Sequence, residues 1–294
     1  MNKHSKISAA YLFLTPALLA IFIFFLIPVL AALLMSFTDF DIYSLGNFSY
    51  ARFIGMQNYI EIFKDPLFWQ SLKNTLYFVV AGGPLSIAVS LAAALLLSSK
   101  LIKYKGIFRL VYFMPVVTTL VAVSILWRFI YHPRFGILNF LLGFIGIHPI
   151  DWLGDPHWAM PAIILMAVWK NFGYNMIIFI AGLQNIPVDL YEAANLEGAS
   201  EWNKFKNITL PLLAPTTLFV SIITMIGYFQ LFAEPYVMTQ GGPLNSTLSI
   251  VLYMYQEGFR WWNMGYSAAL AFILFLIILI VSLIQLKVQR ESAV

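Results

Sequence analysis

An all-α polytopic membrane protein with six transmembrane helices is the fold class that the sequence predicts, on three observations. The 294 residues are 61% hydrophobic and only 10% charged, against about 45–50% apolar and about 25% charged in soluble domains. A mean hydropathy of +0.83 over 33.4 kDa leaves too little polar surface to coat a globule in water, so lipid must solvate most of the chain. Six apolar blocks reach the roughly 20 residues of helix that cross a hydrocarbon core about 30 Å thick. A cytosolic enzyme, a secreted domain and a disordered regulator are excluded together.

The blocks cover about residues 9–35, 76–97, 110–127, 159–183, 212–232 and 266–286. The first follows Lys3 and Lys6 as a signal peptide would, but it far exceeds the roughly 7–15 apolar residues of a cleaved segment. It is expected to be a retained span, kinked at Pro16 and Pro28. In the second, Gly82-Gly83-Pro84 and Ala92-Ala93-Ala94 read as close packing and kinks, as do Gly265 and Ala269 at the sixth. The longest extramembrane stretch runs from Phe37 to Asn74.

Orientation follows from the connecting segments. Ten of the 17 basic residues fall on the side of the N-terminus, four of them (Lys100, Lys103, Lys105 and Arg109) in one short loop without an acid. The positive-inside rule then puts both termini in the cytoplasm. Phe68, Trp69, Tyr131, Trp152, Trp158, Trp261 and Trp262 lie on the outside at the ends of spans, where amphipathic rings anchor at the headgroup level.

The chain has no cysteine, which removes disulfide frameworks, thiolate metal sites and cysteine nucleophiles. His4, His132, His148 and His157 lack a metal-ligand spacing, so neither a metal site nor a catalytic residue is assigned. The net charge of +4 is spread around apolar blocks instead of forming one basic face, which fits lipid headgroups and not nucleic acid. With no G-x-x-x-x-G-K-[ST] phosphate loop, no nucleotide or other cofactor is expected.

Residues 184–211 form a cytoplasmic loop built as two short helices around a hinge. Pro187 suits a first helical turn and Asp189 favours the positive end of the helix dipole. Gly198 can take the left-handed conformation that ends this helix, and Ser200 can cap the next. That second helix is expected to run to about Ile208, before Leu210 and Pro211 turn the chain back into the membrane. The loop has a fixed spacing: Glu192-Ala193-Ala194, three residues, Gly198, nine residues, Ile208-x-Leu210-Pro211.

This spacing resembles the cytoplasmic signature of the permease subunits of binding-protein-dependent ABC importers, at all seven fixed positions. The likeness extends outward through Gly55-x-x-Asn58-Tyr59, Asn74-Thr75, Pro115, Gly136-x-x-Asn139 and Thr239-x-Gly241-Gly242-Pro243, over about Phe53 to Leu286. It is nearest to the carbohydrate branch, similar to maltose, lactose and glycerol-phosphate permeases, without the extra N-terminal spans and large insert of the maltose protein. The resemblance implies a type I importer permease fold in a bacterial or archaeal inner membrane. Its implied partners are a second homologous permease, two cytoplasmic ATPase subunits and an extracytoplasmic solute-binding protein that delivers a sugar. Glu192, Ala193, Ala194, Gly198, Ile208, Leu210 and Pro211 would couple the spans to the ATPase.

Polar groups within spans mark a path or a helix contact. Thr217, Ser221, Thr224 and Tyr228 share one helical face, and Asn171, Tyr174 and Asn175 cluster at i, i+3 and i+4. Asn171, Tyr174, Thr224 and Tyr228 are the candidate path residues, while Thr217 and Ser221 serve equally as helix-to-helix bonds. Lys170, the one charge deep in a span, lines a wet path, snorkels or meets a partner's carboxylate. The competing class is a secondary transporter or channel for a polar solute. A proton-driven carrier needs a titratable carboxylate within a span, and the nearest, Glu234, lies at the outer end of span five.

Overall fold

The computed structural model describes residues 13–99 and 102–292. Lys3, Lys6, His4, Lys100 and the start of the first predicted span lie outside the described residues.

The described chain is helical almost throughout. Helix α1 covers Phe13–Met35. Pro28 lacks an N–H and its ring crowds the carbonyl four residues back, and just there the helix widens to π geometry over Phe22–Leu26. A short α2 (Ile42–Gly46) is capped by Asp41, whose carboxylate accepts from the Tyr43 and Ser44 N–H groups at 3.0 Å. Those backbone bonds, Ser44 first, hold the Asp41 carboxyl below its ordinary value. Then come α3 (Gln57–Lys64) and the long α4 (Pro66–Ser98), which starts well before the predicted Leu76.

The block predicted as one span at 110–127 consists of two helices, α5 (Lys105–Val117) and α6 (Leu120–Ile130), bent by 100° at their junction. Pro115 weakens the last turn of α5, and Thr118 and Thr119, both extended, complete the break. Helix α7 (Ile137–Gly143) precedes α8 (Pro156–Gln184), which is capped by Asp155 through the His157 N–H at 2.8 Å. That bond is the main cause holding the Asp155 carboxyl below its usual value.

The loop helices are α9 (Val188–Leu196) and α10 (Glu201–Lys204). The latter continues through a π segment, Phe205–Thr209, into Leu210–Leu212. The chain therefore stays helical past Pro211 instead of turning there, and the π widening ahead of Pro211 repeats the accommodation seen before Pro28. Next are α11 (Ala214–Phe229), α12 (Ala233–Met238), α13 (Ile250–Tyr255, then π over Gln256–Arg260) and α14 (Met264–Ser292). Among the described residues, five continuous stretches are long and apolar enough to cross a membrane, and the bent α5–α6 pair makes up to a sixth.

Packing divides the chain into two compact units. One comprises the chain up to Asp65 with Met254–Ile273; the other comprises Pro66–Tyr253 with the chain from Leu274. In the first, the buried Asn58 amide donates to the Ser36 and Thr38 carbonyls, each at 2.9 Å. Tyr59 meets the Ser36 hydroxyl at 2.8 Å. Gly265 sits where a Cβ would fall 2.2 Å from the Thr38 carbonyl, so only glycine permits that approach.

The second unit is organised on α4 and α8, the most extensive helix pair. Ala94, Leu97, Met176, Phe179, Ile180 and Val220 form a buried cluster among α4, α8 and α11. Gly173 of α8 lies so near the backbone of α5 that an added Cβ would be 2.0 Å from the Tyr112 carbonyl. Small residues set these helix spacings, as expected where apolar burial alone does not drive association.

Candidate functional site

A cavity of about 530 Å³ opens within the second unit, lined by α4, α5, α6, α8, α11 and the start of α12. Asn171, Tyr174, Thr224 and Tyr228, the four candidate path residues, all line it. Asn175 donates to the Thr224 hydroxyl at 2.9 Å, which fixes one acceptor on its wall. Phe78 packs on Tyr228 with ring centroids 4.8 Å apart. Tyr228 is 5% exposed, and its hydroxyl, with Ser86 and Asn171 in its neighbourhood, has no hydrogen-bond partner among the described residues. A buried hydroxyl left so costs free energy that an incoming group can recover. Tyr174 is half exposed. The wall thus offers amides, hydroxyls and aromatic faces, the set that recognises polyols.

The polar stripe on α11 divides by depth. Thr224 and Tyr228 face the cavity, whereas the Ser221 hydroxyl accepts from the Gln285 amide of α14 at 3.1 Å. Thr217 lines the same α11–α14 recess as Ser221. For Ser221 the structure chooses the helix-to-helix role.

Two cavity residues escaped the sequence reading as a pair. Lys170 and Glu234 both line the wall and act electrostatically on one another. The available signal was Lys170 itself, because a charge within a span calls for an opposite one.

In the loop, Pro187 precedes α9, Asp189 occupies its first turn, and Gly198 is left-handed at φ +73°. The Ala199 N–H reaches the Ala194 carbonyl at 2.9 Å and the Gly198 N–H that of Asn195 at 3.1 Å, a complete Schellman closure. The Lys204 ammonium ties α10 to α9 by donating to Asn195 at 2.7 Å. Tyr191 meets Thr209 at 2.8 Å. None of the residues of α9 is buried, and Leu196 is 91% exposed. Glu192, Ala193, Gly198, Leu210 and Pro211 are exposed, while Ala194 and Ile208 are half-buried.

Residues 86–292 match the family of inner membrane components of binding-protein-dependent transport systems. The chain belongs to that family. It is 39% identical to the lactose transport system permease protein LacF of Rhizobium radiobacter, over 96% of this chain and 94% of that one. It is equally 39% identical to the arabinooligosaccharides transport system permease protein AraP of Bacillus subtilis, over 97% and 90%. The crystal structure of a bacterial alginate ABC transporter with its pentasaccharide-bound periplasmic protein shares the fold, at a TM-score of 0.82 and 22% identity over 98% of this chain and 96% of that one.

As a binding-protein-dependent transport component, the chain is a multi-pass inner membrane subunit and not an enzyme. The secondary-transporter and channel alternative falls away. The permease's outer motif residues prove to be loop staples. The buried Asn74 amide donates to the Asn245 and Leu248 carbonyls at 2.7 and 3.0 Å. Thr75 accepts from the Ile250 N–H at 3.0 Å. Asn139 donates to Pro133 and Ile150 and accepts from the Trp152 indole at 2.9 Å.

Proposed function

We propose that this permease passes a sugar or short oligosaccharide through the α8–α11 cavity, with Asn171, Tyr174, Thr224 and Tyr228 contacting it. The observation that carries the reading is the unpartnered Tyr228 hydroxyl beside Phe78 and Asn171, a buried donor and aromatic face waiting for a polyol. The sugar-named relatives support the substrate class. The chain works as one membrane-spanning permease domain beside a second homologous permease. Two ATPase chains lie beneath the permease pair, one of them engaging α9 of this chain through Glu192, Ala193, Ala194 and Gly198, while Ile208, Leu210 and Pro211 relay the movement into α11. The exposure of Glu192, Ala193 and Leu196 on α9, a helix stiffened at both ends, supports that role. In sealed vesicles carrying the whole transporter, uptake of labelled lactose or arabinotriose is expected to require ATP and the binding protein and to survive collapse of the proton gradient. Uptake that ignores ATP and stops with an uncoupler would overturn the reading.

A further inference from the structure

Opposite charges face the cavity from two elements, Lys170 from mid-α8 and Glu234 from the first turn of α12. They are only 9% and 8% exposed, and every other lining side chain is uncharged. Yet among the described residues no ion pair joins them, and the ammonium reaches only the Val116 carbonyl, at 3.5 Å, the limit of a useful hydrogen bond. Buried charges that line one cavity without forming an ion pair keep most of their desolvation cost. A group that both accepts from an ammonium and donates to a carboxylate would recover it. A hydroxyl does both with one oxygen, and a carbohydrate ring presents several.

We propose that Lys170 and Glu234 are substrate-contacting residues whose balanced charge selects uncharged sugars over acidic ones. The ammonium donates to a hydroxyl oxygen, and the carboxylate accepts a hydroxyl proton and repels any carboxylate on the ligand. The inference rests on the sugar reading above and adds a specificity to it. Removing the Glu234 charge leaves a lone cation in a low-dielectric recess, which favours anions.

The test uses the complete transporter in nanodiscs, with labelled lactose, maltose and arabinotriose as neutral probes and digalacturonate as the acidic one. Wild type is expected to bind at least one neutral probe and to exclude digalacturonate. Glu234→Gln is expected to lose about tenfold in neutral affinity, the scale of one hydrogen bond to a charged group, and to gain at least about tenfold for digalacturonate. Lys170→Gln loses a similar factor with digalacturonate still excluded, and the double variant loses the acidic gain. An assembled Glu234→Gln that gains nothing for digalacturonate overturns the inference. So does unchanged neutral affinity in Lys170→Gln, which serves alone if the first variant does not assemble. Wild type that binds no neutral probe would instead defeat the sugar reading and this inference with it.

Discussion

The outer loops and the cytoplasmic loop are both rich in motif residues, but they use them in opposite ways. Outside, Asn58, Asn74 and Asn139 are buried and each amide donates to two backbone carbonyls. The fold consumes those groups, because irregular backbone must have its polar atoms satisfied wherever water is scarce. Inside, α9 is closed at its ends by Pro187 and the Gly198 cap and tied on one side through Tyr191 and Asn195, and it leaves Glu192, Ala193 and Leu196 exposed. Equal prominence in sequence therefore conceals two functions. A residue whose bonds are complete within the chain holds shape; a rigid element that leaves one face open is built for another molecule.

Charge reversal on the open element should produce the largest effect. Glu192→Lys is expected to cut ATPase co-purification and uptake by about thirtyfold or more, since a mispaired interfacial charge costs about 2–5 kcal/mol. Thermal unfolding of the permease should not move, as the exposed Glu192 side chain makes no hydrogen bond or ion pair with the described residues. Unaltered uptake would remove α9 from the coupling interface.

Asn74→Leu should give the inverse signature. Two carbonyls lose their donor, at about 1–3 kcal/mol for the unsatisfied groups, so the unfolding temperature in detergent falls and less transporter assembles. Uptake per assembled complex should stay near wild type. If activity falls instead while stability holds, Asn74 belongs with the open groups and the division drawn here fails. Gly198→Ala lies between the two, because a side chain at φ +73° costs about 1–2 kcal/mol. That cost is expected to fray the end of α9, with a several-fold loss of uptake and no change in the outer loops by hydrogen exchange.

Spans, loop helices and caps were legible because each depends on local pattern: apolar length, a proline at the start, a glycine at the end. The 100° break between α5 and α6 was not. Val117, Thr118 and Thr119 read as one more stretch of a β-branched apolar block, and hydropathy is blind to backbone direction. The α11 stripe shows a related limit. Periodicity fixes the face on which Thr217 and Tyr228 lie, but eleven residues are about 16 Å of helix, so one face meets α14 at one depth and the cavity at another. The juxtaposition of Lys170 and Glu234 on one cavity wall was hidden because it arises between helices, for which a single sequence carries no spacing rule.

The smallest effects test the same division within α11, where the hydroxyls of Ser221 and Tyr228 differ in being closed and open. Ser221→Ala breaks a bond to Gln285, so it should lower stability by about 1 kcal/mol and leave uptake per complex unchanged. Tyr228→Phe removes a hydroxyl that has no partner in the described chain, while the ring against Phe78 remains. Deleting a buried, unsatisfied group is neutral or stabilising, so the unfolding temperature should hold or rise. If that hydroxyl waits for a sugar, uptake should fall about two- to tenfold, the worth of one neutral hydrogen bond. Opposite signs for stability and transport in one variant are difficult to produce by general damage. A Tyr228→Phe protein that transports normally would leave the hydroxyl as an uncompensated cost of packing and would withdraw Tyr228 from the path.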